Sequence, residues 1–139
     1  MKKALFAGSF DPFTRGHQSI VNRTLAIADE VVVAIGCNAN KRTMLTLEQR
    51  IEAIEQLYAD EPRVKVMAYD GLTTDFAASV GATFLVRGVR NIADFEFEKN
   101  IADVNRKLAG IETVLLVTES EYSHISSSIV RELMNYGRD

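Results

Sequence analysis

Five short runs of Val, Ile, Leu, Phe and Ala alternate with five helical patterns, and this alternation restricts the fold more than any other feature of the chain. The runs are Ala4–Ala7, Val31–Ile35, Val64–Tyr69, Thr83–Val86 and Thr113–Val117. They show little alternation of apolar and polar residues, which suits strands buried on both faces. After the first run, Ile20, Val21, Thr24, Leu25 and Ala28 make one stripe on a helix. Thr46-Leu47-Glu48-Gln49 has the form of a capping box and opens a helix with Leu47, Ile51, Ile54, Leu57 and Tyr58 on its apolar face. Thr73 or Thr74 caps a short helix through Phe76 and Val80, which Gly81 ends. A longer helix runs from about Asp94 to Leu108, with Phe97, Ile101, Val104 and Leu108 along one side. The last helix starts among Ser126-Ser127-Ser128 and buries Ile129, Val130, Leu133 and Met134. The order βαβαβαβαβα predicts an α/β fold. It is a single-domain, Rossmann-like, five-stranded parallel sheet over residues 1–139, with helices on both faces and right-handed crossovers.

The 139 residues, 47% hydrophobic and 25% charged, supply enough apolar mass for one core and bear no mark of disorder. A net charge of −3 excludes a general nucleic-acid coat, so an anion site must be a local cluster. Cys37 is the single cysteine, which rules out an internal disulfide, and no Cys/His spacing suits structural zinc. The apolar part of MKKALFAGSF is too short for a secretion signal, and no segment approaches the ~20 apolar residues of a membrane span. The expectation is a soluble cytoplasmic protein with no nucleic-acid or membrane partner.

Gly8-Ser9-Phe10-Asp11-Pro12-Phe13-Thr14-Arg15-Gly16-His17 joins the first strand to a helix whose first turn carries a histidine. Backbone N–H groups and the positive end of a helix dipole there favour an incoming phosphate. Open parallel sheets bind ligands beyond the carboxyl ends of their strands. Strand one is followed by Ser9 and His17, strand two by Asn38, Asn40, Lys41 and Arg42, and strand three by Asp70, Thr73 and Thr74. Strand four leads into Arg87 and Arg90, and strand five into Glu119, Tyr122, Ser123, His124 and the three serines. His17, Lys41, Arg87 and Arg90 therefore gather on one rim, which suits a ligand with several phosphates.

Singly, each residue has a plainer reading. His17 is an ordinary surface histidine, Lys41-Arg42 a solvated loop, Cys37 an inert thiol, and Glu96, Glu98 and Lys99 the polar face of a helix. Arg87 is harder to dismiss, because a guanidinium at the end of a buried strand needs an anion, either a carboxylate such as Asp94 or a ligand. Three serines exceed what one helix cap uses. The chain has no G-x-x-x-x-G-K-[ST], no G-x-G-x-x-G after the first strand and no G-x-S-x-G, so P-loop, usual dinucleotide and α/β-hydrolase chemistry are excluded.

Thr14-Arg15-Gly16-His17 resembles the [TH]-x-G-H element of the nucleotidyltransferase superfamily, and Ile125-Ser126-Ser127-Ser128 its serine-rich element. GSFDPFTRGH at Gly8–His17, RGVRNIADFEFE at Arg87–Glu98 and YSHISSSIVRE at Tyr122–Glu132 resemble the phosphopantetheine adenylyltransferase family over essentially the whole chain. The resemblance implies transfer of AMP from ATP to 4′-phosphopantetheine, giving dephospho-coenzyme A and pyrophosphate with Mg²⁺ held mainly by the ATP phosphates. It implies catalytic roles for His17, Lys41 and Arg90, with His17 stabilising the transition state. Ser9, Lys41, Thr73 and Arg87 would contact phosphopantetheine. Ser9, Phe10, His17, Gly88, Val89, Arg90, Glu98, Tyr122, Ser123, His124, Ile125, Ser126, Ser127 and Ser128 would form the ATP pocket. A homohexamer and feedback inhibition by coenzyme A are further implications.

The chain departs from the family in places. Ser9 stands where Thr is frequent, Asn40-Lys41-Arg42-Thr43-Met44 where a lysine pair precedes proline, and Thr73 where an apolar residue is usual. Family members also run further past the position of Asp139. Cytidylyltransferases and mononucleotide adenylyltransferases share the T-x-G-H element. A nucleotide-binding regulatory domain without turnover and an interaction domain with this sheet are the readings from other classes.

Overall fold

The computed structural model describes residues 1–38, 42–118 and 127–135. β1 (Lys3–Gly8) occupies the centre of a five-stranded sheet of order β3-β2-β1-β4-β5, with β2 (Glu30–Gly36), β3 (Val64–Tyr69), β4 (Phe84–Val89) and β5 (Glu112–Val117). Every pairing is parallel. The core explains why the strands read as continuous apolar runs. Ala4, Phe6, Val31, Val33 and Ile35 pack with Ile20 and Val21 of α1 (Arg15–Thr24) and Ile54 of α2 (Leu47–Leu57). Leu5, Ala7, Val32, Ala34 and Leu85 pack on the opposite face with Ala77 of α3 (Thr73–Val80). Both faces of the central strands are thus dry, and no position along them favours a polar side chain. No helix among the described residues is long and apolar enough to cross a membrane.

Several local expectations are corrected. α1 ends at Thr24, short of Ala28, although the following turn still buries Ala28 and ties its N–H to the Thr24 carbonyl. Neither Thr73 nor Thr74 caps α3. Leu72 is the N-cap, without a side-chain bond, while the Thr73 hydroxyl lies 2.8 Å from the Tyr69 hydroxyl. β4 does not stop at Val86. Pairing of Arg87, Gly88 and Val89 with Leu115, Leu116 and Val117 carries it further, so Arg87 lies within the strand. α4 (Ile92–Ala109) begins earlier than its apolar stripe, because the Asn91 side chain accepts the Asp94 N–H as its cap. α5 (Ser127–Asn135) leaves Ile129, Leu133 and Met134 exposed rather than buried, and the α4 stripe is exposed too, up to 68% at Leu108. Neither helix has a further layer of described chain over that face.

At the end of β1, a Cβ on Gly8 would lie 3.0 Å from two atoms of the Phe10 ring. Phe10 is buried and holds φ at 48°, so the ring has little freedom to withdraw. Gly8→Ala should cost about 1–3 kcal/mol, read as a lower urea midpoint. An unchanged midpoint would show that the ring yields freely.

Candidate active site

The sheet order reverses direction at β1 and β4, and the carboxyl ends of those two strands open into a cleft of about 380 Å³. Gly8, Ser9, Phe10 and His17 form one wall, with Arg87, Gly88, Arg90 and Glu98 across from them. A second cleft of about 310 Å³ lies between the sheet and α4, bounded by Thr73, Tyr69 and Ile101. The two clefts share Ala7, Gly8, Arg87 and Glu98.

The T-x-G-H string has a local structural reason. Thr14 is the N-cap of α1, and its hydroxyl accepts the His17 N–H at 3.3 Å. His17 Nδ1 in turn accepts the Thr14 N–H at 2.9 Å, completing a capping box in which histidine replaces the usual Glu or Gln. An Nδ1 committed as acceptor places the ring proton of neutral His17 on Nε2. Phe6, Phe10 and Phe13 surround the ring, with Phe10 edge-on at 5.0 Å between centroids. Burial, followed by the nearby Arg87 and Arg90 charges, lowers the His17 pKa from 6.5 to about 4. The side chain is therefore a neutral hydrogen-bond donor at neutral pH.

That shift carries a stability consequence. With the folded-state pKa below the unfolded one, the unfolded chain takes up the proton first as pH falls. His17 should cost the wild type up to about 3 kcal/mol between pH 6.5 and pH 4, relative to His17→Gln. Urea unfolding of both proteins across that range checks the difference, and parallel pH profiles would contradict it.

Arg87 has an internal anion, and it is Glu98 rather than Asp94. Arg87 Nε and Nη2 donate to the two Glu98 carboxylate oxygens at 2.8 and 2.9 Å, and Nη1 donates to the Ala7 carbonyl at 2.6 Å. Glu98 is only 5% exposed, so it belongs to the interior and not to the polar face of α4. Asp94 instead accepts from Arg90 Nε at 2.9 Å and from the Arg90 N–H at 3.1 Å, and these bonds hold its carboxyl below the usual range.

Of the residues singled out in the sequence, Ser9, Phe10, His17, Gly88 and Arg90 line the first cleft, Arg87 and Glu98 border both, and Thr73 lines the second. Val89 is buried in β4. Lys41, Tyr122, Ser123, His124, Ile125 and Ser126 lie outside the described residues, while Ser127 and Ser128 open α5. The sequence named Thr14 only within its motif and Asp94 only as a possible partner of Arg87, and placed neither in the cleft they line. The Thr14-x-x-His17 spacing was the available signal for the first, and the i,i+4 spacing of Arg90 and Asp94 for the second.

The fold and the arginine- and histidine-lined cleft define a nucleotidyltransferase-type α/β protein, and the cytidylyltransferase-like family model matches residues 5–133. A bifunctional NMN adenylyltransferase/ADP ribose pyrophosphatase from Francisella tularensis superposes with a TM-score of 0.75 at 15% identity, over 98% of this chain and 42% of that one. A lipopolysaccharide core biosynthesis protein from Thermoplasma volcanium gives 0.61 at 19% identity, over 86% and 97%. These likenesses concern the fold alone. Relatives named phosphopantetheine adenylyltransferase are far more similar. That of Phocaeicola vulgatus is 60% identical over all of this chain and 92% of its own length, and that of Bacteroides fragilis 58% identical over all of this chain and 93% of its own. The chain belongs to the phosphopantetheine adenylyltransferase family.

Proposed function

We propose that this protein transfers the adenylyl group of ATP to 4′-phosphopantetheine, forming dephospho-coenzyme A and pyrophosphate. Family membership and the pair of clefts meeting at Gly8 and Arg87 support the reading, since two substrates must approach one phosphorus from opposite sides. The single observation that carries the mechanism is His17 in the first cleft with its Nδ1 accepting the Thr14 N–H, which leaves Nε2 to donate.

The acceptor is a phosphate oxygen, already anionic at neutral pH, so the reaction needs no general base. Among the described residues, the two carboxylates lining the first cleft, Asp94 and Glu98, are engaged by Arg90 and Arg87. Catalysis then consists of aligning the acceptor oxygen with the α-phosphate and stabilising charge there and on the departing pyrophosphate. The P–O bond to the acceptor forms as the bond to the pyrophosphate oxygen breaks. His17 Nε2–H donates to a phosphate oxygen, and Arg90 supplies positive charge at the rim. Ser9, Phe10, Gly88 and Glu98 shape the ATP side, where the family pattern also puts Val89 and Tyr122–Ser128. Arg87 and Lys41 act on the acceptor phosphate, and Thr73 lies along the pantetheine arm in the second cleft. Mg²⁺, when bound, would be held mainly by the ATP phosphates and would neutralise part of their charge. No group of three metal-ligating side chains occurs among the described residues.

The exposed apolar faces of α4 and α5 support assembly with further copies, a homohexamer in the family pattern. Coenzyme A is the expected feedback inhibitor and the cytoplasm the expected compartment. Pyrophosphate release measured with ATP or CTP against phosphopantetheine and nicotinate mononucleotide tests the substrate assignment. Release with ATP and phosphopantetheine alone is expected, and preference for another pair overturns the reading.

A further inference from the structure

The loop from Ser9 to Thr14, one wall of the first cleft, contains a backbone conformation that L-residues rarely hold, Phe10 at φ 48°. Such a conformation persists only where its surroundings over-determine it. Two side chains outside the reacting set supply those surroundings. Asp11, 3% exposed, turns its carboxylate away from the cleft toward the segment before α2, where Oδ2 accepts the Met44 N–H at 2.8 Å and Oδ1 the Leu45 N–H at 2.9 Å. Arg50 of α2, 6% exposed, reaches back in the opposite direction. Its Nη1 donates to the Ser9 carbonyl at 2.8 Å and its Nε to the Thr46 carbonyl at 3.3 Å. Arg131 of α5 adds a bond from Nη1 to the Asp11 carbonyl at 2.6 Å.

We propose that Asp11 and Arg50 are positioning residues that clamp the Ser9–Thr14 loop onto the start of α2 and so hold Ser9, Phe10 and His17 in reacting geometry. The two ties run in opposite senses between the same two segments, loop carboxylate to α2-side backbone and α2 guanidinium to loop backbone. A clamp of this kind fixes separation and register at once. Phe10 transmits it, because its ring sits edge-on against His17. Neither Asp11 nor Arg50 lines the cleft. They act through the loop and not on substrate.

Asp11→Asn keeps the shape of the side chain but replaces one of the two acceptor oxygens with an N–H donor facing a backbone N–H. Arg50→Lys keeps the charge but loses the planar fork that reaches Ser9 and Thr46 together. The kinetic part of the test rests on the adenylyl-transfer reading. Wild-type turnover with ATP and phosphopantetheine is measured first, so that failure of that reading is seen separately from failure of the clamp. At a temperature where each variant is fully folded by circular dichroism, kcat at saturating substrates should fall at least ~10-fold in each single variant. The double variant should lose less than the product of the two, because both ties hold one loop. An independent arm needs no substrate. In Asp11→Asn the Met44 and Leu45 amides should lose protection from hydrogen exchange and the His17 ring resonances should shift, while the amides of residues 51–57 stay protected. Single-variant kcat values within twofold of wild type, multiplicative losses in the double variant, or unchanged Met44 and Leu45 protection would each overturn the proposal. If Asp11→Asn cannot be folded, Arg50→Lys decides through the kcat loss and the His17 shift.

Discussion

His17→Ala will remain folded at pH 7 and lose ~10²–10³ in turnover with ATP and the acceptor, the scale set by removal of one preorganised donor to developing charge. The ring contributes one capping bond, the Thr14 N–H to Nδ1, whose loss costs about 1 kcal/mol, and contacts with Phe6, Phe10 and Phe13, a combined loss that the two-faced core should survive. The catalytic cost is much larger because the same bond fixes the tautomer. Nδ1 is occupied, so Nε2 carries the proton, and the lowered pKa keeps that donor neutral through the working range. Rate measured at saturation, beside the urea midpoint, separates the two effects. Near-normal turnover would remove His17 from the chemistry, and an unfolded variant would make its role one of structure.

Arg87→Ala will carry the largest stability loss among single cleft substitutions, about 3 kcal/mol. It strips the almost fully buried Glu98 carboxylate of both its bidentate partners and frees the Ala7 carbonyl. The penalty comes from the stranded charge rather than from any large net worth of the pair. Replacing both residues, as Arg87→Met with Glu98→Leu, should therefore recover much of the loss. Urea unfolding of the single and double variants measures this. A double variant no more stable than Arg87→Ala would show that the pair itself, and not the orphaned carboxylate, sets the cost.

The sheet was legible in the sequence because its central strands are dry on both faces, so the runs from Ala4 to Ala7 and Val31 to Ile35 announce themselves. The end of β4 was not. An arginine and a glycine interrupt the apolar run, and only pairing with β5 and the ion pair to Glu98 keep Arg87 within a strand. Glu98 was hidden for a related reason. It sits among Glu96 and Lys99 in a helical polar pattern, and its burial depends on a partner eleven positions back in the chain. The stripe on α4 was legible as a helix face but not as an exposed one, since periodicity reports which residues share a side and not what covers them. In the site, the rim placement of His17 and Arg90 followed from the element order alone. The histidine capping box did not, because Thr-x-x-His departs from the Ser/Thr-x-x-Glu/Gln form that usually signals it. Asp11 and Arg50 carried no sequence signal, as their bonds run to backbone atoms of distant segments.

On the proposed reading, the two clefts that meet at Gly8 and Arg87 bring ATP and phosphopantetheine together in a single displacement. The most direct test is to quantify dephospho-coenzyme A and pyrophosphate together in one reaction of the purified protein with MgATP and 4′-phosphopantetheine. The expected result is equal amounts of the two products, formed at the same rate and with no ADP. Absence of dephospho-coenzyme A, or pyrophosphate formed without it, would contradict the account.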